Sequence, residues 1–262
     1  MTGREIVGYQ VQDRVARLTL DSPANRNALS GAMLDSLATA LARAEQDASV
    51  RAVLLTHTGA TFCAGLDLRE ALKVGMEQAG GRLVALLRTL LTHPRPVVAL
   101  VDGHVRAGGL GLIGGCDIVV AGPASTFAFT ESRLGLAPAI ISLVTTARMT
   151  SRAVSRYYLT GEAFGPAEAE RAGLVSVAAA DAEDAAEQVL TQLRLCSPQG
   201  LAESKRLTAA PLLATLDADG PDLAAWSARL FASDQAREGI TAFRERRPPY
   251  WATDQPTQGQ PS

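Results

Sequence analysis

Apolar positions change period several times along the chain, and those changes mark out its elements. Residues 6–11 and Val15–Leu20 are short apolar-rich runs around Asp13-Arg14, which predicts a pair of strands joined by a turn. In the second run Val15, Leu18 and Leu20 carry the apolar character, so its alternation is imperfect. Asp21-Ser-Pro-Ala-Asn25 then breaks the pattern with turn residues. Ser30 can cap a helix in which Met33 or Leu34, Leu37, Leu41 and Ala44 recur at helical spacing. Residues 52–56 are continuously apolar apart from Thr56, as in a strand buried on both faces. A loop of small residues, Gly59-Ala-Thr-Phe-Cys-Ala-Gly65-Leu66-Asp67-Leu68, follows.

The alternation of short apolar runs and helical patterns continues. An amphipathic helix is predicted over 82–92, stopped by His93-Pro-Arg-Pro96, and a strand over Val97–Val101. After a glycine-rich stretch comes a second apolar run at 117–121. Helical segments are expected at 139–149 and 151–159, and Pro166 opens a short helix that Gly173 ends. A last strand is expected at 174–177. From Asp181 to about Arg247 the pattern is helical and rich in alanine and charge, and Pro248-Pro249 ends it. Strands alternating with helices, then helices alone, predict an α/β core with a helical C-terminal part. Neither an internal repeat nor a Pro/Gly linker divides the chain.

Composition narrows the function classes. A net charge of −2 gives no basic footprint, so nucleic acid is not an expected partner. The apolar runs are too short and interrupted to span a bilayer, and the first residues have no apolar signal-peptide core, so a membrane is not expected either. Cys63, Cys116 and Cys196, with His57, His93 and His104, are scattered without metal-ligand spacing. The expectation is reduced thiols, a cytoplasmic location and no metal. Cys63 and Cys116 read as small buried hydrophobes.

Candidate chemistry is concentrated in two places. Residues 105–115 hold five of the chain's 23 glycines, at Gly108, Gly109, Gly111, Gly114 and Gly115. Glycines at this density let one backbone approach another, or let a ligand reach backbone N–H groups. Glu131 follows in the aromatic setting Phe127-Ala-Phe-Thr-Glu131. Burial against Phe127 or Phe129 would raise its pKa toward neutrality, as a general base needs. Gly109-Leu-Gly111-Leu-Ile-Gly114 also satisfies the Gly-x-Gly-x-x-Gly pattern, but it lies mid-chain and well beyond the preceding strand, which is poor context for a dinucleotide site. A Gly-x-Ser-x-Gly nucleophile elbow and a phosphate-binding Gly-Lys-Ser/Thr are both absent.

The loops taken together are more specific. Phe62-Cys-Ala-Gly-Leu-Asp67, the run from Val101-Asp-Gly-His to Leu112, and Phe127-Ala-Phe-Thr-Glu-Ser-Arg-Leu-Gly-Leu136 resemble the enoyl-CoA hydratase/isomerase (crotonase) superfamily. Asn27-Ala-Leu29, His93-Pro-Arg-Pro96, Cys116-Asp117, Leu159-Thr-Gly161 and Ala172-Gly-Leu-Val175 extend the resemblance from Val11 to about Val177. It implies the ClpP/crotonase-like spiral of ββα units, with a catalytic, acyl-CoA-binding core over 1–195. A helical trimerisation region would follow at 196–250, and a flexible tail at 251–262. The expected assembly is a homotrimer or a dimer of trimers. The implied substrate is an acyl-CoA thioester, and coenzyme A enters with the substrate rather than as a cofactor.

The same resemblance places an oxyanion hole at the backbone N–H groups of Leu66 and Gly108, and a general acid/base at Glu131. Substrate would pass Arg26, Ala64, Gly65, Asp67 and Gly109. Hydratases of this family carry a second, earlier glutamate, and here that position is Gly111. Thr130-Glu-Ser-Arg-Leu-Gly-Leu-Ala-Pro-Ala139 with Ile140-Ile141-Ser142 resembles a bacterial subgroup of enoyl-CoA or methylglutaconyl-CoA hydratases, which also has Gly-Leu there. Hydration of a 2-enoyl-CoA is therefore the first expectation. A one-glutamate isomerase and an inactive acyl-CoA-binding protein are the alternatives.

Gly111 has a plain alternative in helix packing, and an ordered water could fill the space it leaves. Asp67 reads as a loop cap before a catalytic group. His104 reads as structural, or as lining the pocket mouth. Arg133 is expected in an intramolecular salt bridge. Arg26 is either solvated or near the CoA phosphates.

Overall fold

The computed structural model of the protein describes residues 6–253. The first half runs β1 (Val7–Gln12), β2 (Val15–Leu20), α1 (Gly31–Gln46), β3 (Ala52–His57), β4 (Thr61–Cys63), α2 (Leu68–Val74), α3 (Met76–Thr92), β5 (Val97–Val101), β6 (His104–Arg106), α4 (Gly108–Gly114), β7 (Ile118–Ala121) and β8 (Thr126–Ala128). Then come α5 (Ala139–Thr145), α6 (Ser151–Thr160), α7 (Pro166–Ala172), β9 (Val177–Ala178), α8 (Ala182–Leu195), α9 (Pro198–Phe231) and α10 (Asp234–Glu245).

Two sheets alternate along this path. A six-stranded sheet has the order β1-β2-β3-β5-β7-β9, and a three-stranded sheet the order β4-β6-β8. Among the described strands only the β1/β2 pair is antiparallel, and Phe127 of β8 makes an isolated antiparallel bridge to Phe164. From β3 to β8 each circuit lays one strand in the large sheet and the next in the small one, then moves on through a helix or a turn. This is the spiral of ββα units that the loop motifs imply. β5 is buried along its whole length, which explains its unbroken apolar sequence.

Several boundaries differ from the sequence reading. β4, β6 and β8 each span three residues and carry no readable alternation. α2 begins at Leu68, the last residue of the stretch read as loop, and continues through residues to which the sequence reading gave no element, because Asp67 caps it. α3 begins at Met76, not 82, and runs through Gly80-Gly81. A Cβ on Gly80 would stand 2.8 Å from Ile140 Cδ1 and 3.7 Å from Ala224 Cβ, so this glycine serves helix contact and does not start the helix. α5 stops at Thr145, short of 149. The last strand is β9 at Val177–Ala178, because Leu174 and Val175 go into the core after the left-handed Gly173.

Ser197 caps α9, a 34-residue helix that continues past Pro211 and Pro221. It lies against α3 and α5. Ala209, Leu212, Leu216 and Ala224 of α9 join the main core with the buried residues of both sheets. A buried ion pair adds to this contact: Lys205 Nζ lies 2.7 Å from Asp117 Oδ2 and donates to the Arg95 carbonyl at 3.2 Å. Tyr250–Ala252 forms a 3-10 turn where the flexible tail was expected to begin. The rest of that tail, 254–262, and residues 1–5, on which the signal-peptide reading fell, lie outside the described residues. Among the described residues no helix is long and apolar enough to cross a membrane.

Candidate active site

Parallel pairing in the small sheet brings three of the candidate residues to one end. Cys63 of β4 lies opposite Val105 of β6, and Val105 lies opposite Phe127 of β8. Leu66, Gly108 and Glu131 each follow within a few residues, so all three leave the C-terminal edge of that sheet. Ligands of parallel sheets are held at this edge.

The first two form a close backbone contact. A Cβ built on Gly108 would stand 3.3 Å from both the Leu66 nitrogen and Gly65 Cα, and one on Gly65 would stand 2.9 Å from the Gly108 nitrogen. Gly65 sits at φ +90°. Side chains on this pair would push the two loops apart. The loop bearing Leu66 is clamped on both sides, since Leu29 N donates to the Gly65 carbonyl at 2.8 Å and Asp67 N to the Leu29 carbonyl at 3.2 Å. Among the described residues neither the Leu66 nor the Gly108 N–H donates to an acceptor in this web. Ala107 precedes Gly108 with φ 46° and ψ −120°, a backbone state that costs an L-residue about 1–3 kcal/mol. That strain aims the Gly108 N–H group.

Glu131 begins a 3-10 turn, Glu131–Leu134, just beyond β8. Part of the residue reaches the surface, but Oε2 is buried and has no hydrogen-bond partner. Burial pushes the carboxyl up to about 7, and its own backbone N–H pulls weakly the other way. Desolvation dominates because a carboxylate loses more hydration than a carboxylic acid. The group can therefore give or take a proton near neutral pH. Ser132 Oγ is also buried without a partner.

Gly111 answers to packing. A Cβ there would stand 2.6 Å from Ile141 Cγ2 and 3.2 Å from Ile141 Cβ. α5 thus fills the space that the lost side chain leaves, and no room for a water arises at that point. Gly114 repeats the contact one turn on, with a Cβ position 3.0 Å from both Thr145 Cγ2 and Val144 Cγ2. Gly109 faces β4, its Cβ position lying 2.6 Å from the Cys63 carbonyl oxygen.

The remaining candidates hold the loops. Asp67 Oδ1 accepts from Arg69 N at 3.0 Å and Glu70 N at 3.2 Å, as a helix cap does. Arg26 is exposed in left-handed backbone, and its carbonyl accepts from Ala64 N at 3.1 Å. His104 Nδ1 lies 2.7 Å from Thr126 Oγ1, a structural contact. The salt bridge expected of Arg133 is replaced by a hydrogen bond from its Nε to the Thr160 carbonyl at 2.8 Å. Cys63 and Cys116 are buried, and burial holds both thiols protonated, up to about 12.

Four residues that support these loops and helices were given no role in the sequence reading. Asn27, wholly buried, accepts from Ser22 N at 2.7 Å and donates to the Thr58 and Thr61 carbonyls at 3.1 and 2.8 Å. It ties the loop before Leu66 to the start of the chain. Its place in Asn27-Ala-Leu29 was the available signal. Ile141 entered only through Ile140-Ile141-Ser142, and Thr145 and Tyr158 carried no signal, because their contacts cross between helices.

Comparison with known proteins identifies the family of the chain. Residues 10–255 match the family described as enoyl-CoA hydratase/isomerase. The crystal structure of an enoyl-CoA hydratase from Mycobacterium avium is 50% identical, covers 94% of this chain and 99% of its own, and superposes with a TM-score of 0.90. A Thermus thermophilus protein described as a candidate enoyl-CoA hydratase is 35% identical across 90% of this chain and 96% of that protein. The 2,3-dehydroadipyl-CoA hydratase of Escherichia coli is 31% identical across 91% of this chain and 95% of that enzyme.

Proposed function

The chain belongs to the enoyl-CoA hydratase/isomerase family, and from that premise we propose that it adds water to a 2-enoyl-CoA thioester. The Leu66 and Gly108 N–H groups would hold the thioester oxygen, and Glu131 would act as general acid/base. The observation that carries this reading is the Glu131 carboxyl, buried, unpartnered at Oε2 and poised at about 7.

The ionised carboxylate takes a proton from water as the water oxygen bonds to the β-carbon. The displaced π electrons move through the α-carbon to the thioester oxygen, where the two N–H groups meet the developing charge. Each such donor typically contributes about 10²–10³ in rate, because it is already oriented before charge develops. Protonated Glu131 then returns its proton to the α-carbon, and the carboxylate is regenerated. No cofactor enters the balance, since coenzyme A arrives with the substrate. Arg26, Ala64 and Gly65 border the substrate path, and Asp67 and Gly109 support the same loops.

A second reading is favoured by one observation. Ile141 occupies the space beside Gly111, so a lone carboxylate must serve, and a lone carboxylate suffices to move a proton along a 3-enoyl thioester. Mass spectrometry of products formed in ¹⁸O-water separates the two. Hydration of crotonyl-CoA incorporates the label, whereas isomerisation of a 3-enoyl-CoA gives an unlabelled product of unchanged mass. Acyl-CoA binding with neither reaction would leave a binding protein and contradict both. The working form is proposed to be a cytoplasmic homotrimer or dimer of trimers.

A further inference from the structure

Arg106 is the last residue of β6, and its guanidinium turns sideways across the small sheet. Nη1 donates to the Val105 carbonyl of its own strand at 2.9 Å and to the Thr126 carbonyl of β8 at 2.7 Å. Nη2 donates to Thr126 Oγ1 at 2.8 Å, and the same oxygen meets His104 Nδ1 at 2.7 Å. In the parallel register Arg106 lies opposite Ala128, so the fork ties the end of β6 diagonally to the start of β8.

The company of this half-buried cation is neutral. All three of its acceptors are uncharged oxygens, and burial alone pulls the guanidinium below its ordinary pKa. Neutral acceptors offset less of that desolvation than a carboxylate would. The ladder already joins β6 to β8 up to Arg106, so the fork adds rigidity where the ladder stops. Past that point lie the strained Ala107 and then the Gly108 N–H.

A strained backbone state persists only when its surroundings fix it. On the C-terminal side α4 does so, because Leu110 N donates to the Ala107 carbonyl at 2.8 Å. The facing loop closes from across the hole, where a Cβ on Gly65 would stand 2.9 Å from Ala107 Cβ. On the N-terminal side the Arg106 fork holds the residue before it. β8 runs on to Glu131, so the same fork links the strand that ends at the oxyanion donor to the strand that leads to the carboxyl.

We propose that Arg106 is a positioning residue of the oxyanion hole: its fork over Val105 and Thr126 fixes the strand end from which the Gly108 N–H is aimed. This rests on the proposed role of Leu66 and Gly108 as that hole. The task calls for a planar fork that reaches two carbonyls and a hydroxyl together, which the point charge of a lysine does not reproduce.

The test reads the hole without turnover. Butyryl-CoA labelled with ¹³C at the thioester carbonyl is saturated, so neither hydration nor isomerisation consumes it. Infrared difference spectra against the unlabelled thioester report the bound carbonyl stretch, which two aligned N–H donors move to lower frequency. The parent should show that downshift, and Arg106→Met and Arg106→Lys should lose most of it. Thr126→Val removes one acceptor and keeps the carbonyl contact, so it should lose part, and Thr126→Ser should return to the parent. On crotonyl-CoA, Arg106→Met should lower kcat by about 10–100-fold with KM changed less than about twofold, since a misaimed donor is missed chiefly in the transition state. The pH midpoint of kcat/KM should stay at the parent value, whereas a cation acting on Glu131 by charge would raise it when removed.

A parent-like carbonyl stretch in either Arg106→Met or Arg106→Lys, or a raised midpoint, would overturn the proposal. No downshift in the parent would remove the hole and the proposal with it. If the downshift depends on Arg106 but no enoyl-CoA is hydrated, the positioning stands and the hydratase reading fails.

Discussion

At the residue scale the account turns on what burial does to one carboxyl. Glu131 is held at about 7 by desolvation, well above the range of an unfolded glutamate. The folded chain therefore binds more protons than the unfolded chain between those limits, and stability falls as pH rises through them. Glu131→Gln removes that charge. Its melting temperature should exceed the parent's above pH 7, and the gap should close as pH falls toward 4.5; differential scanning calorimetry across that range reads it, and a constant gap would contradict the assignment. Position 111 makes the opposite point. Gly111→Ala should overpack Ile141 and cost about 1–3 kcal/mol in urea unfolding, and adding Ile141→Leu, which lacks the clashing Cγ2 branch, should recover part of that loss. The burial of Glu131 was legible because an aromatic run precedes it. Packing was a readable reason for Gly111, but its partner was not, because Ile141 lies 30 residues away and no local pattern links the two.

Elements follow the same division. Helices with a polar cap and a regular apolar face were readable: Ser30 caps α1 as its type suggests, and Pro166 and Gly173 bound α7. The small sheet was not, because three-residue strands exist only through their neighbours. α3 also starts six residues before the predicted 82, since the close contact of Gly80 with α5 and α9 outweighs the roughly 1 kcal/mol that a glycine costs a helix. Attachment of α9 is equally non-local. Lys205 is 4% exposed and paired with Asp117 at 2.7 Å. Lys205→Met should leave that carboxylate buried without its cation and cost roughly 3–5 kcal/mol in chemical denaturation. A loss below about 1 kcal/mol would mean that α9 docks by apolar packing alone.

For the whole molecule, fold and family were legible because the loops carry their motifs in a fixed order. The expectation of a trimer rests on the resemblance alone, since a single chain displays its unpaired surfaces without their partners. The C-terminal region leaves Leu207, Trp226, Phe243, Tyr250 and Trp251 exposed, which suits contact with further copies of the chain. Sedimentation should therefore detect three or six chains, and Trp226→Glu with Phe243→Glu should shift the distribution to single chains. A parent protein that sediments as a single chain would contradict the proposed trimer.

The central claim is that one buried carboxyl performs the hydration. The measurement is the pH dependence of kcat/KM for crotonyl-CoA, followed by loss of the conjugated thioester absorbance, in the parent and in Glu131→Gln. The account predicts a parent rate that rises to a plateau with an apparent pKa near 7, reporting the free enzyme's essential base. It predicts no measurable hydration in Glu131→Gln at any pH. Hydration that persists in Glu131→Gln, or a parent profile flat from pH 5 to 9, would contradict it.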